Sequence, residues 1–178
     1  VRLLVLGGSQ GALRINQLLP EALAGLDAGL RPEIRHQAGA HHLDTARAAY
    51  AAAGVTAEVQ PFIADMAGAY AWADLVFCRS GALTVSELAA AGLGSVLVPF
   101  PAAVDDHQTL NARYLVDPGA AVLAPEHTLD RERILALLAP LLADRDRLNA
   151  MAGIARGLAR PAALEEITGI CVEAGGLE

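Results

Sequence analysis

The chain has 178 residues, 54 % hydrophobic and 19 % charged, with a formal net charge of −7 and a mean hydropathy of +0.38. That length supports one well-buried core rather than two domains, and the apolar content argues against disorder. The acidic balance speaks against a nucleic-acid or anionic-membrane surface, no apolar run reaches the ~18 residues of a bilayer span, and all thirteen basic residues are Arg, which excludes a Lys-bearing phosphate loop and Schiff-base chemistry.

The opening residues, Val1-Arg2-Leu3-Leu4-Val5-Leu6, read as a strand that runs into glycines, not as a signal peptide. With no initiator Met, the chain reads as a piece of a longer one. Strands are predicted over 2–6, 33–37, 57–60, 75–78, 95–99 and 121–123. Several are short, continuous apolar runs, as expected where both faces of a sheet are covered. Helices are predicted over 13–28, 43–53, 65–73, 84–91 and 107–116, followed by 130–143, 145–158 and 162–174, whose Leu and Ala stripes read as core. Gly54 and Gly92 fall where helices stop, and Asp130 and Asp144 read as N-caps. Strand alternating with helix predicts an α/β fold, a Rossmann-like doubly wound parallel sheet forming a single domain over 1–178. Cys78 and Cys171 read as reduced packing residues.

In such a sheet, ligands bind beyond the carboxyl ends of the strands, so four loops carry the candidates. The first is Gly7-Gly8-Ser9-Gln10-Gly11-Ala12. Its glycines admit a phosphate to the backbone, and the following helix N-terminus favours the charge, although a tight βα turn has the same composition. The spacing does not fit a dinucleotide fingerprint, and no carboxylate ends the second strand. It does fit G-x-S-x-G, the nucleophile elbow of α/β-hydrolases, with Asp105 or Asp106 and His127 completing the order Ser, Asp, His. Only six residues precede Gly7, so a hydrolase using Ser9 would be a fragment lacking its oxyanion loop.

In the second loop, Pro61 to Met66, the backbone meets the edge of a flat base while Phe62 or Ile63 covers its face; a Pro-initiated turn capped by Asp65 is the alternative. The third loop, Arg79-Ser80-Gly81-Ala82-Leu83-Thr84, opens a helix with small residues and offers a second set of N–H groups. Glu87, in its first turns, presents two acceptors matching neighbouring ribose hydroxyls, yet Thr84-x-x-Glu87 also reads as a capping box. The fourth loop, from Pro99, ends in a helix opening with Asp105, Asp106, His107, Gln108 and Asn111. His107 and Asn111 are four apart and Gln108 and Asn111 three apart, so they share a face, with the mixed donors and acceptors that a sugar requires; a solvated, Asp-capped first turn is equally consistent. Adjacent His41 and His42 diverge on a helix and complete no metal set, and Asp144-Arg145-Asp146 reads as a cap rather than a D-x-D metal motif.

The segments GGSQGA, FIADMAGAYAWADLVFCRSGALTVSELAAAG and VPFPAAVDDHQTLNA, in this order, resemble the C-terminal half of the MurG family of GT-B glycosyltransferases, glycosyltransferase family 28. The likeness runs from Arg2 to about Ala174. It implies one Rossmann-like half of a two-domain enzyme that transfers N-acetylglucosamine from UDP-N-acetylglucosamine to undecaprenyl-pyrophosphoryl-MurNAc-pentapeptide, converting lipid I to lipid II in peptidoglycan synthesis, with no cofactor. It further implies a cytoplasmic enzyme peripheral to the inner face of the bacterial plasma membrane. In the resemblance, Ser9, Gln10 and Gly11 lie near the diphosphate, faced by Ala82, Leu83 and Thr84. The Ile63 backbone pairs with uracil beside Phe62 and Met66, and Glu87 takes the ribose hydroxyls. His107, Gln108 and Asn111 meet the sugar, and Arg79 lies near the base or shapes its pocket. The lipid-linked acceptor and the general base belong to the N-terminal half. Two positions depart from the family pattern: Gly94 replaces a Pro, which should loosen a turn, and Ala102 replaces a frequent His near the sugar.

Overall fold

Six short strands make one parallel sheet, and its central strands are buried on both faces, as their continuous apolar runs predict. The computed structural model describes residues 1–8, 12–101 and 106–175. Its strands are β1 (Arg2–Leu6), β2 (Glu33–Gln37), β3 (Glu58–Gln60), β4 (Leu75–Cys78), β5 (Gly94–Leu97) and β6 (Ala121–Leu123). Their helices are α1 (Leu13–Ala24), α2 (Leu43–Ala53), α3 (Met66–Trp72), α4 (Ala82–Ala91), α5 (His107–Val116), α6 (Arg131–Leu142), α7 (Arg145–Gly157) and α8 (Ala163–Gly175). The spatial order is β3-β2-β1-β4-β5-β6, so the chain reverses direction across the sheet between β1 and β4. This is the doubly wound α/β arrangement expected from the sequence.

The strand period of two divides the core. Leu3, Val5, Leu75 and Phe77 face α1, α2 and α6, while Leu4, Leu6, Val76 and Cys78 face α3, α4 and α5. Helix ends follow local chemistry. Gly54 and Gly92 close α2 and α4 in the left-handed conformation, at φ of 64° and 68°. Asp65, Asp130 and Asp144 accept the backbone N–H three residues on, at 2.8, 2.7 and 2.9 Å.

Four expectations need correction. The first helix stops at Ala24, where the Gly25 N–H turns to the Ala22 carbonyl at 3.0 Å in a tightened last turn that ends the helix. Gly94 loosens no turn: it opens β5 in register with Leu75, and Met151 of α7 fills the space above it, 3.0 Å from where a Cβ would stand. α8 contributes no core; it buries no residue, and Leu164, Ile167 and Ile170 are more than half exposed. Cys171, on that helix, is therefore exposed rather than packed, whereas burial pushes the Cys78 thiol up to about 12; both are free thiols. No helix among the described residues is long and apolar enough to cross a membrane.

Candidate functional site

The reversal between β1 and β4 sets Leu6 and Cys78 in register as the last residues of neighbouring strands, so the first and third loops leave the sheet side by side. A cavity of about 180 Å³ opens there, and Gly8, Phe62, Met66, Arg79, Thr84 and Glu87 help line it. Residues from three loops separated by up to 79 positions thus meet in one crevice. Ser9, Gln10 and Gly11 lie outside the described residues, as do Ala102 and Asp105.

α1 follows the first loop and α4 opens beside the crevice, and neither N-cap residue closes its helix with a side chain. The N-cap residues Ala12 of α1 and Gly81 of α4 make no side-chain cap hydrogen bond, in contrast to the Asp-capped α3, α6 and α7. First-turn N–H groups without a side-chain cap, carrying the positive end of the helix dipole, suit an anion.

Because α4 starts at Ala82 rather than at Thr84, the capping box does not form, and Thr84 and Glu87 stand inside the helix. Glu87 instead accepts a hydrogen bond from the Tyr70 hydroxyl at 2.9 Å. Burial, followed by the Glu87 carboxylate, holds the Tyr70 phenol well above its ordinary range, so it remains a donor that fixes one carboxylate oxygen. Ala82 and Leu83 are exposed at the head of α4.

In the second loop, Phe62 projects outward at 64 % exposure, Met66 is half-buried, and the Ile63 side chain is buried in the core beneath α3. Phe62 and Met66 line the crevice, whereas Ile63 lines a separate cavity with Arg35, Glu58 and Asp65. Arg79 is bound to the scaffold. Its guanidinium pairs with Glu126, donates to the carbonyls of Val98 and Pro99 at 3.4 and 3.2 Å, and lies 5.4 Å over the Phe100 ring. It lines the cavity but chiefly joins the third loop to the end of β5.

The fourth loop is tied to the third. Asn111 donates to the Ser80 carbonyl at 3.2 Å, and the Gln108 side-chain oxygen accepts the Phe100 N–H at 2.9 Å. These bonds leave Gln108 its amide NH₂ and Asn111 its amide oxygen for other partners. His107 is exposed at the start of α5. Asp106 is the N-cap at φ 52°, and its carboxylate receives the Thr109 hydroxyl rather than a backbone N–H. Among the described residues no three His, Cys, Asp or Glu side chains gather as a metal site.

Sequence reasoning missed Tyr70, which orients Glu87, and Glu126, which anchors Arg79. Each partner stands 17 and 47 positions away in the chain, beyond any helical or turn periodicity. Asn111 carried a visible signal in sharing a helix face with His107 and Gln108, but its bond to Ser80 did not.

A family model for the glycosyltransferase family 28 C-terminal domain matches residues 2–167. An enzyme of Marinobacter nauticus named UDP-N-acetylglucosamine–N-acetylmuramyl-(pentapeptide) pyrophosphoryl-undecaprenol N-acetylglucosamine transferase is 56 % identical over 174 residues, 98 % of this chain and 48 % of that protein. A protein of the same name from Pseudomonas entomophila is 57 % identical over 172 residues, 97 % of this chain and 48 % of its own length. The chain thus spans about half the length of the curated relatives it matches. The crystal structure of Acinetobacter baumannii MurG superposes with a TM-score of 0.89 at 43 % identity, covering 96 % of this chain and 51 % of that one. Nothing in these matches supports a hydrolase built on Ser9.

Proposed function

Since this chain belongs to glycosyltransferase family 28, as its C-terminal domain, we propose that it is the donor-holding half of an inverting N-acetylglucosaminyltransferase. The observation that carries this reading is the crevice at the reversal of the sheet, where Thr84 and Glu87 of α4, a helix with no side-chain cap, meet Gly8, Phe62 and Met66. In it, the diphosphate of UDP-N-acetylglucosamine rests between Ser9, Gln10 and Gly11 and the head of α4. Glu87 accepts the ribose hydroxyls, and uracil lies against Phe62 and Met66 with its edge on the Ile63 backbone. Gln108, Asn111 and His107 face the sugar. The acceptor is undecaprenyl-pyrophosphoryl-MurNAc-pentapeptide, held by the N-terminal half at the inner face of the plasma membrane. Its sugar hydroxyl attacks C1 of the donor, the C1–O bond to UDP breaks with inversion, and the hydroxyl proton passes to a base on that other half. Charge developing on UDP is stabilised by helix termini already oriented toward it.

Titration of the chain with UDP-N-acetylglucosamine, UDP and UDP-glucose tests class and sugar together. All three should bind, with UDP-N-acetylglucosamine tightest; no binding of any of them rejects the reading. Glu87→Ala should weaken UDP by roughly 1.5–3 kcal/mol, the range for a hydrogen bond to a charged group. A 2′-deoxy nucleotide should bind the unmodified chain more weakly than UDP but the variant equally well. If the mutation weakens both nucleotides by the same factor, Glu87 does not touch the ribose.

Gln108 and Asn111 should separate. Gln108→Ala should reduce affinity for UDP-N-acetylglucosamine and leave UDP nearly unchanged. Asn111→Ala also removes the bond to Ser80, so it should weaken UDP as well. Equal loss of both ligands in Gln108→Ala would assign that side chain to the scaffold.

A further inference from the structure

Behind the first loop lies a group of polar side chains that the crevice itself does not use. Asn16 of α1 and His36 of β2 are wholly buried, and Tyr50 of α2 is 3 % exposed. His36 Nε2 meets Asn16 Oδ1 at 3.0 Å, His36 Nδ1 meets the Tyr50 hydroxyl at 3.0 Å, and Asn16 Nδ2 donates to the Ala38 carbonyl at 3.0 Å. We infer that these three residues form a clamp that fixes the first turn of α1 against the carboxyl end of β2, and that they are positioning residues for the nucleotide diphosphate without touching it, a role that presupposes the donor-binding reading above.

The proton pattern of the clamp is determined. With Asn16 Nδ2 committed to Ala38, its Oδ1 faces the ring and accepts, which requires hydrogen on His36 Nε2. Nδ1 then carries a lone pair and accepts from Tyr50. Every polar atom in the chain has one role, and a neutral ring is the form that satisfies all of them. Burial lowers the His36 pKa to about 4, which keeps the ring in that form.

The anchor points are themselves fixed. Ala38 donates to the Gln60 carbonyl at 2.9 Å, and Gly7, at the end of β1, donates to the Gln37 carbonyl at 3.0 Å. Asn16 sits one turn into α1, its N–H bonded to Ala12 at 2.9 Å. The end of β1, the end of β2 and the head of α1 therefore share one hydrogen-bonded frame, and Gly8 and Ala12, on either side of residues 9–11 in the chain, are set by it. Apolar contacts would not do this. Ile15, Leu19 and Leu23 bury α1 against the sheet, but such contacts are non-directional and tolerate rotation of a helix about its axis. Burying three polar groups where apolar ones would fill the space is costly unless the directional bonds are needed.

The test compares UDP with uridine, which lacks the diphosphate, on the unmodified chain and on Asn16→Leu and Tyr50→Phe. UDP affinity should fall about tenfold in Asn16→Leu, roughly one decade per 1.4 kcal/mol, while uridine affinity stays within about twofold; Tyr50→Phe should show the same split, smaller. Amide hydrogen exchange supplies a ligand-free readout: exchange in the first turns of α1 should accelerate relative to α6, which the clamp does not touch. Uridine and UDP weakening together, or α1 exchange keeping pace with α6, overturns the clamp. If the unmodified chain binds neither nucleotide, the donor reading falls, and the exchange ratio still decides whether the clamp holds α1. Should Asn16→Leu fail to fold, Tyr50→Phe, which removes a single oxygen, carries both readouts.

Discussion

Given UDP-N-acetylglucosamine and the lipid-linked acceptor, the isolated chain is expected to bind the nucleotide and to release no UDP above background. Binding asks for little beyond what the sheet already orients: two helix termini without side-chain caps, a carboxylate held by Tyr70, and the side-chain amides of Gln108 and Asn111. Transfer asks for an acceptor hydroxyl placed in line with C1 and a base to take its proton. Placement alone is worth ~7–11 kcal/mol of the barrier, and in the family resemblance both acceptor site and base belong to the other half. Affinity should also be lower than in a two-domain enzyme, because a closed cleft excludes water from the donor and an open crevice does not. The measurement is acceptor-dependent UDP release by the chain alone, repeated after adding the N-terminal half in trans. Restoration by the second half is expected. Transfer by the chain alone would mean that the acceptor site and base lie within these residues.

The fold was legible because its signals are local. Strands buried on both faces show as unbroken apolar runs such as Leu75–Cys78, and helices are punctuated by Gly54, Gly92, Asp130 and Asp144, whose backbone or side-chain chemistry acts within three or four residues. The crevice was legible as far as its loops, since a doubly wound sheet dictates where they converge. What failed was tertiary. The Thr84-x-x-Glu87 spacing suggested a cap, but Gly81 starts the helix two residues sooner and Tyr70 claims the carboxylate. Arg79 was expected near the base or shaping its pocket, and the sequence did not show that Glu126 holds it to the frame while it lines the crevice. The apolar stripe of α8 has the period of a core helix, yet period shows only that one side avoids water, not what covers it. The Asn16, His36 and Tyr50 cluster draws on two helices and a strand, so no spacing in the sequence announces it.

That cluster also predicts a loss of stability in acid. His36 is paired across the sheet with Val5 and Val59, and its ring meets Asn16 from α1 and Tyr50 from α2. None of these four carries a charge at neutral pH, and desolvation of the imidazolium is the cause of its lowered pKa. The folded value is about 4 against an ordinary 6.5. Above pH 6.5 the ring is neutral in both folded and unfolded chains and contributes no pH dependence. As pH falls below 6.5 the unfolded chain takes up a proton that the folded chain refuses, so stability declines, until near pH 4 the folded ring titrates too and the decline ends. At about 1.4 kcal/mol per unit, the loss over this window is roughly 3 kcal/mol, a large share of the marginal stability of a domain. Other groups titrate in the same range, so the informative quantity is a difference. Denaturant melts of the unmodified chain and of His36→Gln, followed from pH 7 to pH 4, should show the variant less stable at neutral pH, because the clamp is broken, and the gap narrowing by about 3 kcal/mol toward pH 4. Parallel curves across that window would mean that His36 accepts its proton inside the folded protein, with Asn16 and Tyr50 rearranging to receive an imidazolium.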